Sequence, residues 1–117
     1  MKIGIIGFGA IGFDVAKKLD QEKDQFNVIG VHSRTKNKII DKTTSFNSPL
    51  RYFSLDEICK KCDVVIDCAP KEAFKEIIQK CLDYKTKLIT VSGAGILENL
   101  EIVNKAKEHS TQIFLAS

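Results

Sequence analysis

The predicted fold rests on the stretch Ile3-Gly4-Ile5-Ile6-Gly7-Phe8-Gly9-Ala10-Ile11-Gly12. The four residues before Gly7 are a short apolar run, which predicts a buried strand. Between Ala10 and Asp20 apolar residues recur every four positions, which predicts the buried stripe of an amphipathic helix. The chain therefore begins with a strand that turns directly into a helix through closely spaced glycines.

The three glycines have the spacing GxGxxG. This pattern is weak alone, but here it follows a strand, opens a helix and lies in a strand-helix-strand unit of about thirty residues, as in dinucleotide-binding proteins. Gly7 allows a sharp turn, Gly9 a close approach of the backbone to a pyrophosphate, and Gly12 close packing of the helix on the sheet. A glycine turn without a ligand is the alternative, and turn chemistry alone does not explain this spacing. The predicted pyrophosphate-binding residues are Gly7, Phe8, Gly9, Ala10, Ile11 and Gly12.

The rest of the chain alternates between apolar runs and helical stretches. Further strands are predicted over 26–32, 51–53, 63–69, 87–91 and 112–116. Further helices are predicted over 71–84 and 97–109, and a short one starts at the capping box of Ser54 and Glu57. A polar loop with at most one helical turn is expected over 33–50. Strict alternation predicts an α/β fold, a doubly wound parallel sheet (Rossmann fold) of about six strands in order 3-2-1-4-5-6.

Length and charge narrow the class further. The 117 residues fit one dinucleotide-binding domain over 1–117. The net charge of +3 is too small to indicate nucleic acid or a membrane surface. No apolar run approaches the roughly 20 residues that span a bilayer, and the N-terminus lacks the features of a signal peptide. We therefore expect a cytoplasmic protein that binds neither nucleic acid nor membrane.

The pair Cys59 and Cys62 has the spacing of a metal or redox motif. A zinc site needs further ligands, whereas His32 and His109 are far away and unpaired. A redox CxxC opens a helix after a strand, and this one closes a helix before a strand. We therefore expect no metal, and four small thiols that are buried or half-buried.

The end of the second strand bears on which dinucleotide is bound. NAD-selective sites have Asp or Glu about twenty residues beyond the glycines, but this chain has Val31-His32-Ser33-Arg34 there. Ser33 and Arg34 could hold a 2′-phosphate, and Lys36 and Lys38 add positive charge. This pattern favours NADP and leaves NAD open, and the alternative is a solvated basic loop.

Two further strand ends are candidate sites, because ligands of such sheets lie beyond the carboxyl ends of the strands. Cys68-Ala69-Pro70 ends the fourth strand and Ser92-Gly93-Ala94 ends the fifth. Both segments are small enough for a flat ring to lie near the backbone, although ordinary strand-to-helix turns would have the same composition. Asp67 is expected to be a structural acid that accepts backbone N–H groups.

Four segments together resemble the N-terminal half of L-aspartate dehydrogenase: 1–12, 63–70, 87–94 and 113–117. Many dehydrogenases share the glycine motif, and the two strand-end motifs narrow the resemblance. Homoserine dehydrogenase has a similar architecture but usually carries Asn-Lys where this chain has Ser92-Gly93-Ala94. Sugar oxidoreductases related to glucose-fructose oxidoreductase carry Glu-Lys-Pro there.

The resemblance implies oxidative deamination of L-aspartate through an imine to oxaloacetate and ammonia. It implies that the glycines hold the pyrophosphate, that Ser33 and Arg34 meet the adenosine ribose, and that Ala69 and Pro70 meet the nicotinamide ribose. Residues 92–94 would approach the nicotinamide ring.

In that family the substrate-binding residues and a catalytic histidine belong to a second, C-terminal domain. We therefore expect no catalytic residue in this chain. The chain resembles a cofactor domain that lacks its substrate domain, and we expect it to be inactive alone. A homoserine dehydrogenase-like or other NAD(P)-dependent domain, a non-catalytic dinucleotide sensor and assembly into a homo-oligomer are left open.

Overall fold

A computed structural model describes residues 1–22, 25–34, 46 and 50–116. Most of the loop predicted over 33–50, including Lys36 and Lys38, lies outside these residues, as does Ser117. The strands in the described ranges are β1 (Lys2–Ile6), β2 (Asn27–His32), β3 (Arg51–Tyr52), β4 (Val64–Asp67), β5 (Lys87–Thr90) and β6 (Ile113–Leu115). The helices are α1 (Ala10–Gln21), α2 (Leu55–Lys61), α3 (Phe74–Tyr84), α4 (Gly93–Glu98) and α5 (Leu100–Glu108), with a 3₁₀ turn (Lys71–Ala73) before α3. Within this part of the chain no helix is both long and apolar enough to cross a bilayer.

The strands form one parallel sheet in the order β3-β2-β1-β4-β5-β6. The chain therefore runs outward from β1 to β3, returns to the other side of β1 and runs outward again to β6. The predicted fold class and strand order are confirmed. The order reverses between β1 and β4, and open α/β sheets bind ligands beyond the strand ends at such a point.

Both faces of the sheet are covered, because successive side chains of a strand point to opposite faces. Ile5 packs in a cluster with Ala16 of α1 on one face. Ile6 packs on the other face in a cluster that includes Ile58 of α2 and Ile77 of α3. These four isoleucines and Ala16 are no more than 2% exposed. Each buried isoleucine contributes about 2 kcal/mol to folding, so β1 anchors both halves of the core.

The start of α2 follows the sequence prediction. The Glu57 N–H donates to Ser54 Oγ at 3.1 Å, and the Ser54 N–H donates to Glu57 Oε1 at 3.0 Å. This reciprocal pair is the predicted capping box. It fixes the entry of α2, and with it the position of Leu55.

The prediction of a single helix over 97–109 is wrong at its start, because the structure has two helices, α4 and α5, between residues 93 and 108. Ser92 Oγ accepts the Gly95 N–H at 2.9 Å, so α4 already begins at Gly93. Asn99 then leaves helical geometry (φ −134°) and its side-chain amide donates to the Gly95 carbonyl at 2.8 Å. Residues 93–95 have no apolar periodicity, so the pattern did not reveal the first helix.

Candidate functional site

A cavity of about 570 Å³ lies at the carboxyl ends of β1, β2 and β4, where the strand order reverses. It brings together many of the predicted site residues: Gly7, Phe8, Gly9, Ile11, Ser33, Arg34, Ala69 and Pro70. Its lining also contains His32 and Cys68, which belong to the two strand ends noted in the sequence. Residues that the sequence did not single out complete the lining: Ile6, Leu55, Ala73, Glu76, Ile77 and Val91.

The glycine turn is built by close backbone contacts. Gly7 has φ +85°, the left-handed region that favours glycine, and a Cβ there would lie 2.6 Å from the Ala69 nitrogen. A Cβ on Gly12 would lie 1.9 Å from the Gly7 carbonyl oxygen. By contrast, a Cβ on Gly9 would meet nothing within 4 Å. Gly7 and Gly12 therefore serve packing, whereas Gly9 presents bare backbone to open space.

The start of α1 can hold an anion. Gly9 is the N-cap residue and forms no side-chain capping hydrogen bond. The first N–H groups of a helix have no partner within it, and the helix dipole places partial positive charge there. Ala10, the first helical residue, is exposed. A pyrophosphate fits this place because donors, positive potential and open space coincide.

The end of β2 is held by contacts with β3. The Tyr52 hydroxyl donates to the Ser33 carbonyl at 3.2 Å, and His32 Nδ1 lies 2.8 Å from the Phe53 carbonyl. Since a carbonyl only accepts, Nδ1 carries the hydrogen. The His32 and Tyr52 rings also contact each other, with centroids 5.7 Å apart. Ser33 and Arg34 therefore follow an ordered strand end, and the exposed Arg34 lines the cavity.

The opposite wall of the cavity is largely apolar. It is formed by Leu55 of α2, by Ala73 just before α3 and by Ile77 of α3. The exposed Glu76 also belongs to this part of the lining. Cys68 also lines the cavity, and burial raises the pKa of its thiol to about 11. The thiol is therefore neutral near pH 7, and the wall can pack against a flat ring without meeting a charge other than Glu76.

Asp67 lies beneath the cavity and is 1% exposed. Its carboxylate accepts the Ala69 N–H at 2.9 Å and the Thr90 hydroxyl at 2.8 Å, and Thr90 Oγ1 in turn accepts the Ser92 N–H at 3.0 Å. Burial raises the pKa of Asp67, although both hydrogen bonds oppose the rise. As predicted, Asp67 is a structural acid, and it links the ends of β4 and β5.

Several predicted site residues lie outside the cavity or point away from it. The Phe8 ring is 4% exposed and packs against Phe13 at 5.6 Å and Phe46 at 6.2 Å, so only its backbone can reach a ligand. Ala10 and Gly12 do not line the cavity, and neither do residues 92–94. The latter begin α4 beside β6, where a Cβ on Gly93 would lie 3.8 Å from Leu115.

The predicted state of the cysteines is confirmed. Cys59, Cys62 and Cys81 are buried free thiols, and Cys68 is a half-buried free thiol. Burial raises the pKa of Cys62 to about 12. In the described ranges no group of three or more His, Cys, Asp or Glu side chains is placed to hold a metal ion.

Comparison with known proteins identifies one family whose sequence model matches this chain, and individual relatives that agree with the resemblance found in the sequence. The sequence model described as "Homoserine dehydrogenase, NAD binding domain" matches residues 7–116. The L-aspartate dehydrogenase of Bradyrhizobium diazoefficiens is 24% identical over 98% of this chain and 41% of its own length. L-aspartate dehydrogenase 3 of Bordetella bronchiseptica is 29% identical over 97% of this chain and 42% of its own length. The chain thus spans less than half the length of these relatives.

Among solved structures, scyllo-inositol dehydrogenase from Lactobacillus casei, with bound NAD(H) and scyllo-inositol, superposes with a TM-score of 0.77. It is 15% identical, and the match covers 99% of this chain and 36% of that chain. This likeness confirms the fold. The resemblance to L-aspartate dehydrogenases inferred from sequence motifs is confirmed by the relatives.

Replacing Gly12 by alanine is expected to destabilise the fold by about 3 kcal/mol, because the added methyl group overlaps the Gly7 carbonyl. Gly9→Ala is the matched control, since its Cβ faces open space, and it should cost less than about 1 kcal/mol. Urea unfolding followed by circular dichroism measures both. Equal losses at the two glycines would contradict the packing described for Gly12.

Replacing Asp67 by asparagine is expected to remove a pH dependence of stability. Because the folded-state pKa of Asp67 is raised, its contribution is fully present below the ordinary carboxyl pKa and is lost as the pH rises through the raised value. The asparagine side chain keeps both contacts, since its oxygen accepts from Ala69 and its amide donates to Thr90. The wild-type minus D67N difference in unfolding free energy should therefore fall with rising pH. A difference that is flat or that rises would refute the assignment.

Proposed function

Since this chain belongs to the homoserine dehydrogenase NAD-binding domain family, we propose that the glycine turn and its cavity hold a nicotinamide dinucleotide, preferably NADP, in an L-aspartate dehydrogenase-like enzyme. The observation that carries the proposal is the open face of Gly9 beside the first N–H groups of α1. That combination leaves room for phosphate oxygens to reach the backbone, and the adjoining cavity leaves room for the rest of the molecule.

Each part of the dinucleotide has a partner in this assignment. Backbone N–H groups from Gly9 to Ile11 would hold the pyrophosphate. The apolar wall that contains Leu55 and Ile77 would receive the adenine ring. The turn 69–70 after β4 meets the nicotinamide ribose, as the resemblance to L-aspartate dehydrogenases implies.

The preference for NADP rests on the charges at the cavity rim. Arg34 follows Ser33 at the end of β2, where NAD-selective sites place an acid that bonds the ribose hydroxyls. A guanidinium there binds a 2′-phosphate through charge-assisted hydrogen bonds. Glu76 carries the opposite charge in the cavity lining. Its carboxylate would repel a 2′-phosphate and could accept a hydrogen bond from a ribose hydroxyl. We assign the preference to Arg34 because it belongs to the strand end that meets the adenosine ribose.

The proposed reaction is the oxidative deamination of L-aspartate. A bound nicotinamide dinucleotide would supply the acceptor for the hydride from the substrate α-carbon, and hydrolysis of the resulting substrate imine by water would give oxaloacetate and ammonium. In this proposal the residues of this chain bind and orient the dinucleotide. More than half the length of the relatives lies outside the match, so we expect dinucleotide binding but no turnover from these 117 residues alone.

Titration of the chain with NADPH and NADH, followed by the fluorescence of the reduced nicotinamide, tests the binding site. Gly9→Val should remain folded, because its side chain enters open space and the backbone there is extended (φ −79°), yet it should weaken both dinucleotides at least about tenfold by occupying the pyrophosphate position. Circular dichroism melting checks that the variant is folded. If neither dinucleotide binds the wild-type chain at about 1 mM, an affinity worth only about 4 kcal/mol, the proposal is lost.

Replacing Arg34 by alanine tests the cofactor preference. Loss of a charge-assisted bond to the 2′-phosphate should lower the affinity for NADPH about tenfold and leave that for NADH within about twofold. Glu76→Gln is the companion variant and should shift the preference the other way, towards NADPH. An equal change for the two dinucleotides in both variants would show that neither charge sets the preference.

A further inference from the structure

Two buried thiols from different helices lie close to each other. Cys59 of α2 and Cys81 of α3 have their sulfur atoms 4.0 Å apart. The residues are 1% and 0% exposed, and neither contacts the dinucleotide cavity. This pair differs from the CxxC motif in the sequence, because the partner of Cys59 is on the neighbouring helix.

We propose that Cys59 and Cys81 form a reversible disulfide when the protein meets a peroxide. The sulfur atoms of a disulfide are about 2.05 Å apart, so the two must approach by about 2 Å. Both belong to the cluster in which α2 and α3 pack together on one face of the sheet. The bond therefore needs a small closure of two helices already in contact, and no change in the sheet.

Of the two residues, Cys59 is the nearer to the surface. It is among the residues that line an open surface depression of about 560 Å³, together with Lys60, Lys85 and Lys87, whereas Cys81 is not. A hydrogen bond from Cys81 lowers the pKa of Cys59, whereas that bond and burial raise the pKa of Cys81. Since the thiolate is the nucleophile, Cys59 attacks and Cys81 resolves.

The chemistry balances with peroxide as the oxidant. The Cys59 thiolate, with one proton, and hydrogen peroxide give the sulfenic acid and one water. The Cys81 thiol then attacks the Cys59 sulfur, the S–S bond forms and a second water leaves. Two thiols have lost two electrons in total, and a thiol reductant reverses the step.

Cys62 is a poorer partner although it is closer in sequence and lines the same depression. Its sulfur lies towards β1, only 2.9 Å from where a Cβ on Gly4 would be. Burial raises its pKa to about 12, so it stays protonated. The cross-helix pair is therefore favoured over the local one.

The cross-link would also act on the cavity, a consequence that rests on the proposed function. Leu55 lies one turn before Cys59 on α2, and Ile77 lies one turn before Cys81 on α3. Both line the cavity wall. Drawing the two helices together narrows the space between these side chains, so the oxidised chain should bind NADPH about tenfold more weakly.

Mass spectrometry of the folded chain tests the disulfide itself. After a small excess of hydrogen peroxide the intact mass should fall by two hydrogen atoms, and a tryptic digest should contain a linked peptide pair with Cys59 and Cys81. Dithiothreitol should restore the original mass. A Cys59–Cys62 link, or oxygen addition without any link, would overturn the proposal.

Two matched alanine variants accompany that measurement. Cys81→Ala should abolish the cross-link, and Cys62→Ala, another buried cysteine, should keep it. The C81A substitution removes a side chain from the core, so circular dichroism is used to check that this variant folds. If the variant is unfolded, the peptide map of the oxidised wild type decides whether the disulfide forms.

The effect on the cavity is measured separately by titrating reduced and oxidised wild type with NADPH. Tenfold weaker binding after oxidation, restored by dithiothreitol, supports the link between disulfide and cavity. Equal binding in both forms refutes that link. Absence of binding in the reduced form refutes the proposed function instead, and the mass result then still decides the disulfide.

Discussion

The contact between Gly12 and the Gly7 carbonyl is the constraint on which the site depends. A single added methyl group would lie 1.9 Å from that oxygen, so α1 can come this close to the turn only with glycine at position 12. The same turn donates its Gly7 N–H to the His32 carbonyl at 2.7 Å. One compact element therefore places the helix N-terminus at the point where the strand order reverses, and ties the end of β2 to it.

A second buried interaction keeps the other side of the site in place. The Asp67 carboxylate is costly to bury, and its raised pKa is the mark of that cost. It is retained within a chain of hydrogen bonds that runs from the Ala69 N–H through Thr90 to the Ser92 N–H. These bonds satisfy backbone donors just past two strand ends, where no ladder partner exists. The backbone at these two strand ends is thus fixed by two buried polar side chains, Asp67 and Thr90.

The sequence predicted what depends on local pattern and failed where tertiary placement decides. Glycine spacing and apolar runs were sufficient for the turn and the strand order, and the spacing of Ser54 and Glu57 was sufficient for the capping box. The apolar wall was missed, because Leu55 and Ile77 have the same pattern as core positions, and only the placement of α2 and α3 shows which apolar residues border the cavity. The start of α4 was missed because a hydrogen bond to the Ser92 side chain begins that helix. Its first residues show no apolar periodicity that the sequence could reveal.

In the proposed site, recognition and selectivity would rest on different kinds of group. The pyrophosphate, which NAD and NADP share, is assigned to backbone N–H groups that no ordinary substitution removes. The distinction between them is assigned to Arg34 and Glu76, which are exposed and take no part in the core. Exposed side chains can change with little effect on stability. Substitutions at these two positions would therefore alter the proposed preference while the glycine turn stays intact, because the packing of Gly7 and Gly12 does not involve the two charges.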